Sequence, residues 1–155
     1  MASNQKGGYE IGVVENIEYT SGGIGNQWTT ISGVRYCTFW DVRTIDWKRG
    51  DTVVFLDFTR PVFSNTPSVR QATEIHKVPA GAMTFEQFRA TAVATPNAAS
   101  PKSLEYLGGK CSIEVADLSY RLQLHNALFD STDLCALEQK LYAWALANVP
   151  SKMIV

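Results

Sequence analysis

Between Tyr9 and Pro79 the chain alternates short strand-like runs with turn residues, and this rhythm constrains the fold more than any single motif. "YEIGVVENIEYT" places Ile11, Val13 and Ile17 on one face and Glu10, Asn16 and Glu18 on the other. "SGGIGN" then interrupts with glycines and an asparagine, as a hairpin loop does. "QWTTI" and "VRYCTFW" are joined by Ser32-Gly33, a tight-turn pair. "DVRTIDWKRGD" is a connector, and "TVVFLDFT" starts with an unbroken apolar run, which predicts a strand buried on both faces. "RPVFSNTPS" carries two prolines and reads as a loop. "VRQATEIHKV" alternates again, with Val69, Gln71, Thr73 and Ile75 against Arg70, Ala72, Glu74 and His76. Five strands with short turns are expected in this stretch.

After Pro79 the texture changes. Thr84 with Gln87 forms a capping box before "FEQFRATAVA". "TPNAASPKS", near 95–103, reads as a linker. "SIEVADLSYRLQLHNALF" carries Ile113, Ala116, Tyr120 and Leu124 at helical spacing. Ser131 or Thr132 can cap "DLCALEQKLYAWALANV", where Leu134, Leu137, Leu141 and Trp144 form one stripe, and Pro150 stops it. The expectation is an α+β chain: a five-stranded β-barrel over 1–79 with a loose arm at 1–8, then a small helical region over 80–155.

With 155 residues, 45% hydrophobic and 19% charged, the chain can bury a core without metal or disulfide staples. A net charge of −1 argues against binding driven by bulk positive charge. The charge divides as eight basic and eight acidic residues over 1–79, and six and seven over the remainder. Cys37, Cys111 and Cys135 are far apart and show no metal-ligand spacing, so structural zinc is not expected and a reduced, intracellular setting fits. "MASNQKGGYE" has no apolar segment of the signal-peptide kind, and no apolar run is long enough to span a membrane. His76 and His125 are isolated and no nucleophile setting is visible, so neither catalysis nor a cofactor is expected.

Residues 28–55 hold three of the four tryptophans, Trp28, Trp40 and Trp47, with Tyr36, Phe39 and Phe55 and the cations Arg35, Arg43, Lys48 and Arg49. Such rings either fill a small core or face outward to stack on a ligand. On the third strand Arg35, Cys37 and Phe39 share one face, while Val34, Tyr36, Thr38 and Trp40 share the other. An unpaired arginine is costly to bury, so the Arg35 face is expected outside, beside Trp28 or Thr29. Trp28, Tyr36, Phe39 and Trp40 each also fit a core position, and Trp47 fits a plug at one end of the barrel. The wider basic set, Arg35, Arg43, Lys48, Arg49, Arg60 and Arg70, is interleaved with Asp41, Asp46, Asp51 and Asp57, as in a groove or an ordinary mixed surface.

Gly50-Asp51 leading into "TVVF", and Ala72 to Ile75 on the fifth strand, resemble the OB-fold family over about residues 9–79. "FTRPVFSNTPSV" falls where that family has its loop between the fourth and fifth strands. "DVRTIDWKRGD" is short for the helix many members place between strands three and four, so an SH3-like barrel stays as an alternative. The resemblance implies sequence-tolerant binding of single-stranded nucleic acid, DNA first, across strands two and three. The expected interface is Trp28, Arg35, Phe39, Trp40, Arg43, Lys48 and Arg49. The rival is a non-catalytic interaction or assembly module, with the C-terminal stripe as a self-association or partner surface; a weaker third is an enzyme subunit completed by a partner. The apolar pair Ile154 and Val155 is expected to be hidden by docking.

Overall fold

The computed structural model describes residues 6–19, 27–38, 47–61, 68–95, 102–124 and 127–155. The glycine-rich 21–26 loop, the connector with Phe39, Trp40 and Arg43, the proline loop at 62–67, the linker at 96–101 and His125 lie outside them. The chain is α+β and divides into two compact units, Met1–Val78 and Pro79–Val155.

The first unit holds β1 (Lys6–Tyr19), β2 (Gln27–Ile31), β3 (Val34–Cys37), β4 (Thr52–Pro61) and β5 (Ser68–Lys77). Pairing runs β1-β2-β3-β5-β4 and returns from β4 to β1, so the sheet closes on itself. All neighbours are antiparallel except β3 and β5, which meet in parallel at Cys37 and Gln71. Ser32 and Gly33 turn the β2–β3 hairpin with φ of +47° and +85°, the left-handed pair a two-residue hairpin needs. The Glu15 carboxylate accepts from the Gly33 N–H at 3.0 Å and ties that turn to β1.

Two bulges decide which side chains face inward. On β1 the register shifts between Val14 and Asn16, so Val14 is buried and Ile17 packs against the core. Ile11 and Val13, expected inside with Ile17, instead lie on the outer face, 36% and 43% exposed. On β5 two residues, Glu74 and Ile75, oppose the single Phe55 of β4, and Glu74 adopts φ +53°. That surplus residue puts Ala72 and Ile75 in the same core, although plain alternation separates them. The core is Val14, Ile31, Tyr36, Trp47, Val53, Phe55, Ala72 and Ile75, with Tyr36 edge-on to Phe55 at 5.1 Å. Val53 to Asp57 are all buried, as the apolar run requires. Gly12 sits where the strands approach closely: a Cβ there would lie 2.6 Å from Ile31 Cγ2.

The same interior also holds a polar group. Gln27, Thr29, Thr38 and Gln71 are fully buried. Gln27 Nε2 donates to Thr38 Oγ1 at 3.1 Å, and the Thr29 and Thr38 hydroxyls lie 2.9 Å apart.

The second unit overturns the expectation of a small helical region. It contains α1 (Phe85–Ala90), β6 (Val93–Ala94), β7 (Lys102–Tyr106), β8 (Cys111–Val115), β9 (Tyr120–Leu124), β10 (Ala127–Ser131) and α2 (Leu134–Asn148), then a 3-10 turn at Pro150–Lys152. The strands form a sheet in the order β10-β9-β8-β7-β6, antiparallel throughout. Cys111–Val115, Tyr120–Leu124 and Ala127–Ser131 are therefore strands where helical spacing predicts a helix. "YRLQL" has period two, which puts Tyr120, Leu122 and Leu124 on one face. The Ala116 N–H bonds the Ser119 carbonyl at 2.9 Å and makes a turn where the helical pattern needed continuity. Lys102 and Ser103, expected in a linker, begin β7.

Both helices were otherwise legible. Thr84 and Gln87 form the expected capping box on α1. The N-cap of α2 is Asp133 rather than Ser131 or Thr132: its carboxylate accepts from Ala136 N–H at 3.2 Å, while Ser131 Oγ accepts from Asp133 N–H. Leu137 and Leu141 are buried, and α2 packs on β8, β9 and β10. Tyr106 stacks on Phe88 at 5.0 Å and donates to Glu138 Oε2 at 2.6 Å; Arg89 Nε donates to Glu138 Oε1 at 2.8 Å. The chain end pairs through its backbone, with Ile154 bridging Ala82 and Val155 N–H bonding Gly81. The Ile154 and Val155 side chains stay exposed, so docking onto the chain's own body does not hide them, and Met153 is buried instead.

Candidate nucleic-acid interface

Strand parity settles the choice between Trp28 and Thr29. Gln27, Thr29 and Ile31 point inward and are buried, so Trp28 and Thr30 take the outer face of β2. Thr30 opposes Arg35 and Trp28 opposes Cys37, which sets Arg35 on that same face of β3. Glu18 opposes Trp28 from β1. The outer face of the first three strands thus presents Glu18, Trp28, Thr30 and Arg35 side by side.

The Arg35 guanidinium carbon lies over the indole of Trp28, 4.2 Å from its ring centroid. Its Nε donates to Glu18 Oε1 at 3.0 Å, and both side chains stay about half exposed. Arg35 is therefore outside, as its cost of burial demanded. Tyr36 and Trp47 are core residues. Cys37, on the Arg35 face, is fully buried, so that face is covered at its far end.

Lys48 and Arg49 are exposed, in the turn before β4, but the structure does not bring them against Trp28. Gly50 N–H and Asp51 carbonyl bond to Val14, which pairs with Ile31 at the hairpin end of β2. Trp28 pairs with Glu18 farther along β1, roughly 13 Å of strand away. Asp51 partly neutralises the turn, lying 3.9 Å from Lys48 Nζ and 3.8 Å from Lys77 Nζ. Phe39, Trp40 and Arg43 lie outside the described residues.

A second cluster went unread in the sequence. Arg70 clamps Asp57 with Nε at 3.4 Å and an NH2 at 3.0 Å, and Asp57 is buried. The Tyr36 hydroxyl faces the same carboxylate at 3.5 Å. Burial, and then the Asp57 charge, push the Tyr36 phenol up to about 12. A buried aspartate with a partly exposed arginine fits structural pairing. Counting aspartates and arginines in the sequence could not pair them, because the pairing depends on the β4–β5 register.

Chemically, the Glu18–Trp28–Arg35 surface offers an indole and a guanidinium plane for stacking and a fork of N–H donors for anions. Among the described residues no three His, Cys, Asp or Glu side chains gather as a metal site, and no helix is long and apolar enough to cross a membrane. No protein-family model, no curated protein and no solved structure matches this chain.

Proposed function

We propose that the first unit is an OB-like barrel that binds single-stranded nucleic acid, without strong sequence preference, over the outer face of β2 and β3. The observation that carries this reading is the Arg35–Trp28 contact, with the arginine about half in solvent and the indole partly so, on a strand pair that such barrels use for oligonucleotides. The five-stranded closed pairing supports the fold half of the reading. A base stacks on Trp28 as the Arg35 guanidinium turns to a phosphate, and Lys48 and Arg49 contact phosphates farther along the strand. Near-neutral overall charge makes the expected affinity modest and salt-sensitive.

The test is titration with oligo-dT while following tryptophan emission at low and moderate salt. Quenching that weakens as salt rises is the expected result. Arg35→Ala and Trp28→Ala should each weaken binding about ten-fold while leaving the fold intact. Absence of binding at low salt refutes the reading. The second reading, a protein-interaction module, then takes its place. It is favoured by Ile11 and Val13 on the outer face of β1 and by Leu118 and Leu128 in the second unit, all exposed. Of the α2 stripe, Leu137 and Leu141 are buried inside their own unit, which leaves Leu134 and Trp144, both half-buried, to such a surface.

A further inference from the structure

The guanidinium that would meet phosphate is already engaged. Glu18 Oε1 takes the Nε–H of Arg35 at 3.0 Å, with both side chains about half exposed. Glu18 and Trp28 are direct cross-strand partners, so β1 and β2 hold carboxylate and indole at a fixed spacing, and Arg35 reaches both at once from β3. A carboxylate and a phosphate make the same demand on a guanidinium: two oxygens with negative charge set against its N–H donors. We infer that Glu18 is a built-in competitor for the anionic ligand of this face, holding Arg35 down on Trp28 until a phosphate displaces it. This deepens the proposed nucleic-acid function and rests on it.

The exchange needs no covalent step. A backbone phosphate replaces Glu18 on Arg35, the carboxylate turns to water, and the released guanidinium leaves the indole available to a base. An exposed ion pair is weak enough for such exchange, since its partners are solvated either way. The pair therefore lowers affinity for isolated anions, and a strand that also stacks on Trp28 overcomes it. The cost falls on phosphate contact alone, so the latch favours ligands carrying both a phosphate and a free base.

The experiment is a double-mutant cycle on the full chain, with oligo-dT as the probe. Glu18→Gln keeps the shape of the side chain and removes its charge. It should tighten binding about two- to five-fold, the size of a surface ion pair. It should also steepen the dependence of log affinity on log salt, by up to roughly 0.7, because no released carboxylate takes a cation back from solution to offset the counterions that the strand gives up. In the Arg35→Ala background the gain from Glu18→Gln should vanish, because no guanidinium remains to be released. An equal gain in both backgrounds would mean a general field effect and would overturn the competitor while leaving the interface standing. So would no gain, or weaker binding, with Arg35 present. If wild type and variants alike bind no oligo-dT at low salt, the interface itself fails and the competitor falls with it.

Discussion

Two arginine–glutamate pairs of nearly equal length do opposite work in the two units. Arg35 and Glu18 meet at 3.0 Å on the outer face of the first, Arg89 and Glu138 at 2.8 Å in the second. Glu18 has half its side chain in water, whereas Glu138 is only 4% exposed, and its other oxygen holds the Tyr106 hydroxyl at 2.6 Å. Arg35 leans on a partly exposed indole; Arg89 ties α1 to α2, while Tyr106 ties β7 to α2. Distance alone therefore says little about what an ion pair contributes. What matters is how many other bonds each partner must abandon to leave it, and how much water waits to replace them.

The sharpest way to break the comparison is to remove what Tyr106 leans on. Phe88→Ala leaves a ring-sized hole against Tyr106 in a fully buried site and should cost about 3–5 kcal/mol in denaturant unfolding. Glu138→Ala strands the buried Tyr106 hydroxyl and should cost about 2–3 kcal/mol. A loss as small as that of an exposed pair would mean the two sites do not differ. Tyr106→Phe removes one charge-assisted bond and should cost about 1–2 kcal/mol.

Alkaline titration sharpens the same contrast. Burial, then the hydrogen bond to Glu138, raise the Tyr106 phenol, and burial, then Asp57, raise Tyr36 to about 12. A phenol that ionises later in the folded chain than in the unfolded one contributes stability that is intact below pH 10, the unfolded value. For Tyr36 that contribution is lost as pH climbs through about 12. Tyr36→Phe should therefore flatten the fall of stability across this window, with tyrosinate absorbance following the same curve. The smallest effect is expected at the exposed pair: Glu18→Gln should move stability by less than about 0.5 kcal/mol, even though it changes ligand affinity.

Much of this was legible because it is local. The Ser32-Gly33 turn, the buried "VVFL" run and the Thr84–Gln87 box each depend on residues within a few positions of one another. Arg35 was placed outside from the cost of burying it, with no partner strand needed. Trp28 and Thr29 could not be separated until β2 had a register, and Glu18 could not be seen as the partner of Arg35 until β1 had one. Residues 111–131 misled for a related reason. Ile113, Ala116, Tyr120 and Leu124 satisfy helical spacing, while Leu122 and Leu124 satisfy period two equally well, and the turn at Ala116–Ser119 favoured strands. Asp133 won the cap of α2 by lying one position nearer the helix than Thr132 and two nearer than Ser131.

The surplus residue at Glu74 makes β5 a strand with two phases. N-terminal to it, Ala72 faces in; C-terminal to it, Ile75 does, although the two lie an odd three positions apart. Deleting one residue there would not merely shorten the strand. It would remove the bulge and leave Ala72 and Ile75 two positions apart, so strict alternation would still face both inward, whereas the same deletion elsewhere in β5 would turn one half of the strand inside out. Length changes elsewhere in β5 must come in pairs to keep the inside facing in, and Glu74 is the place where an odd number is already built in.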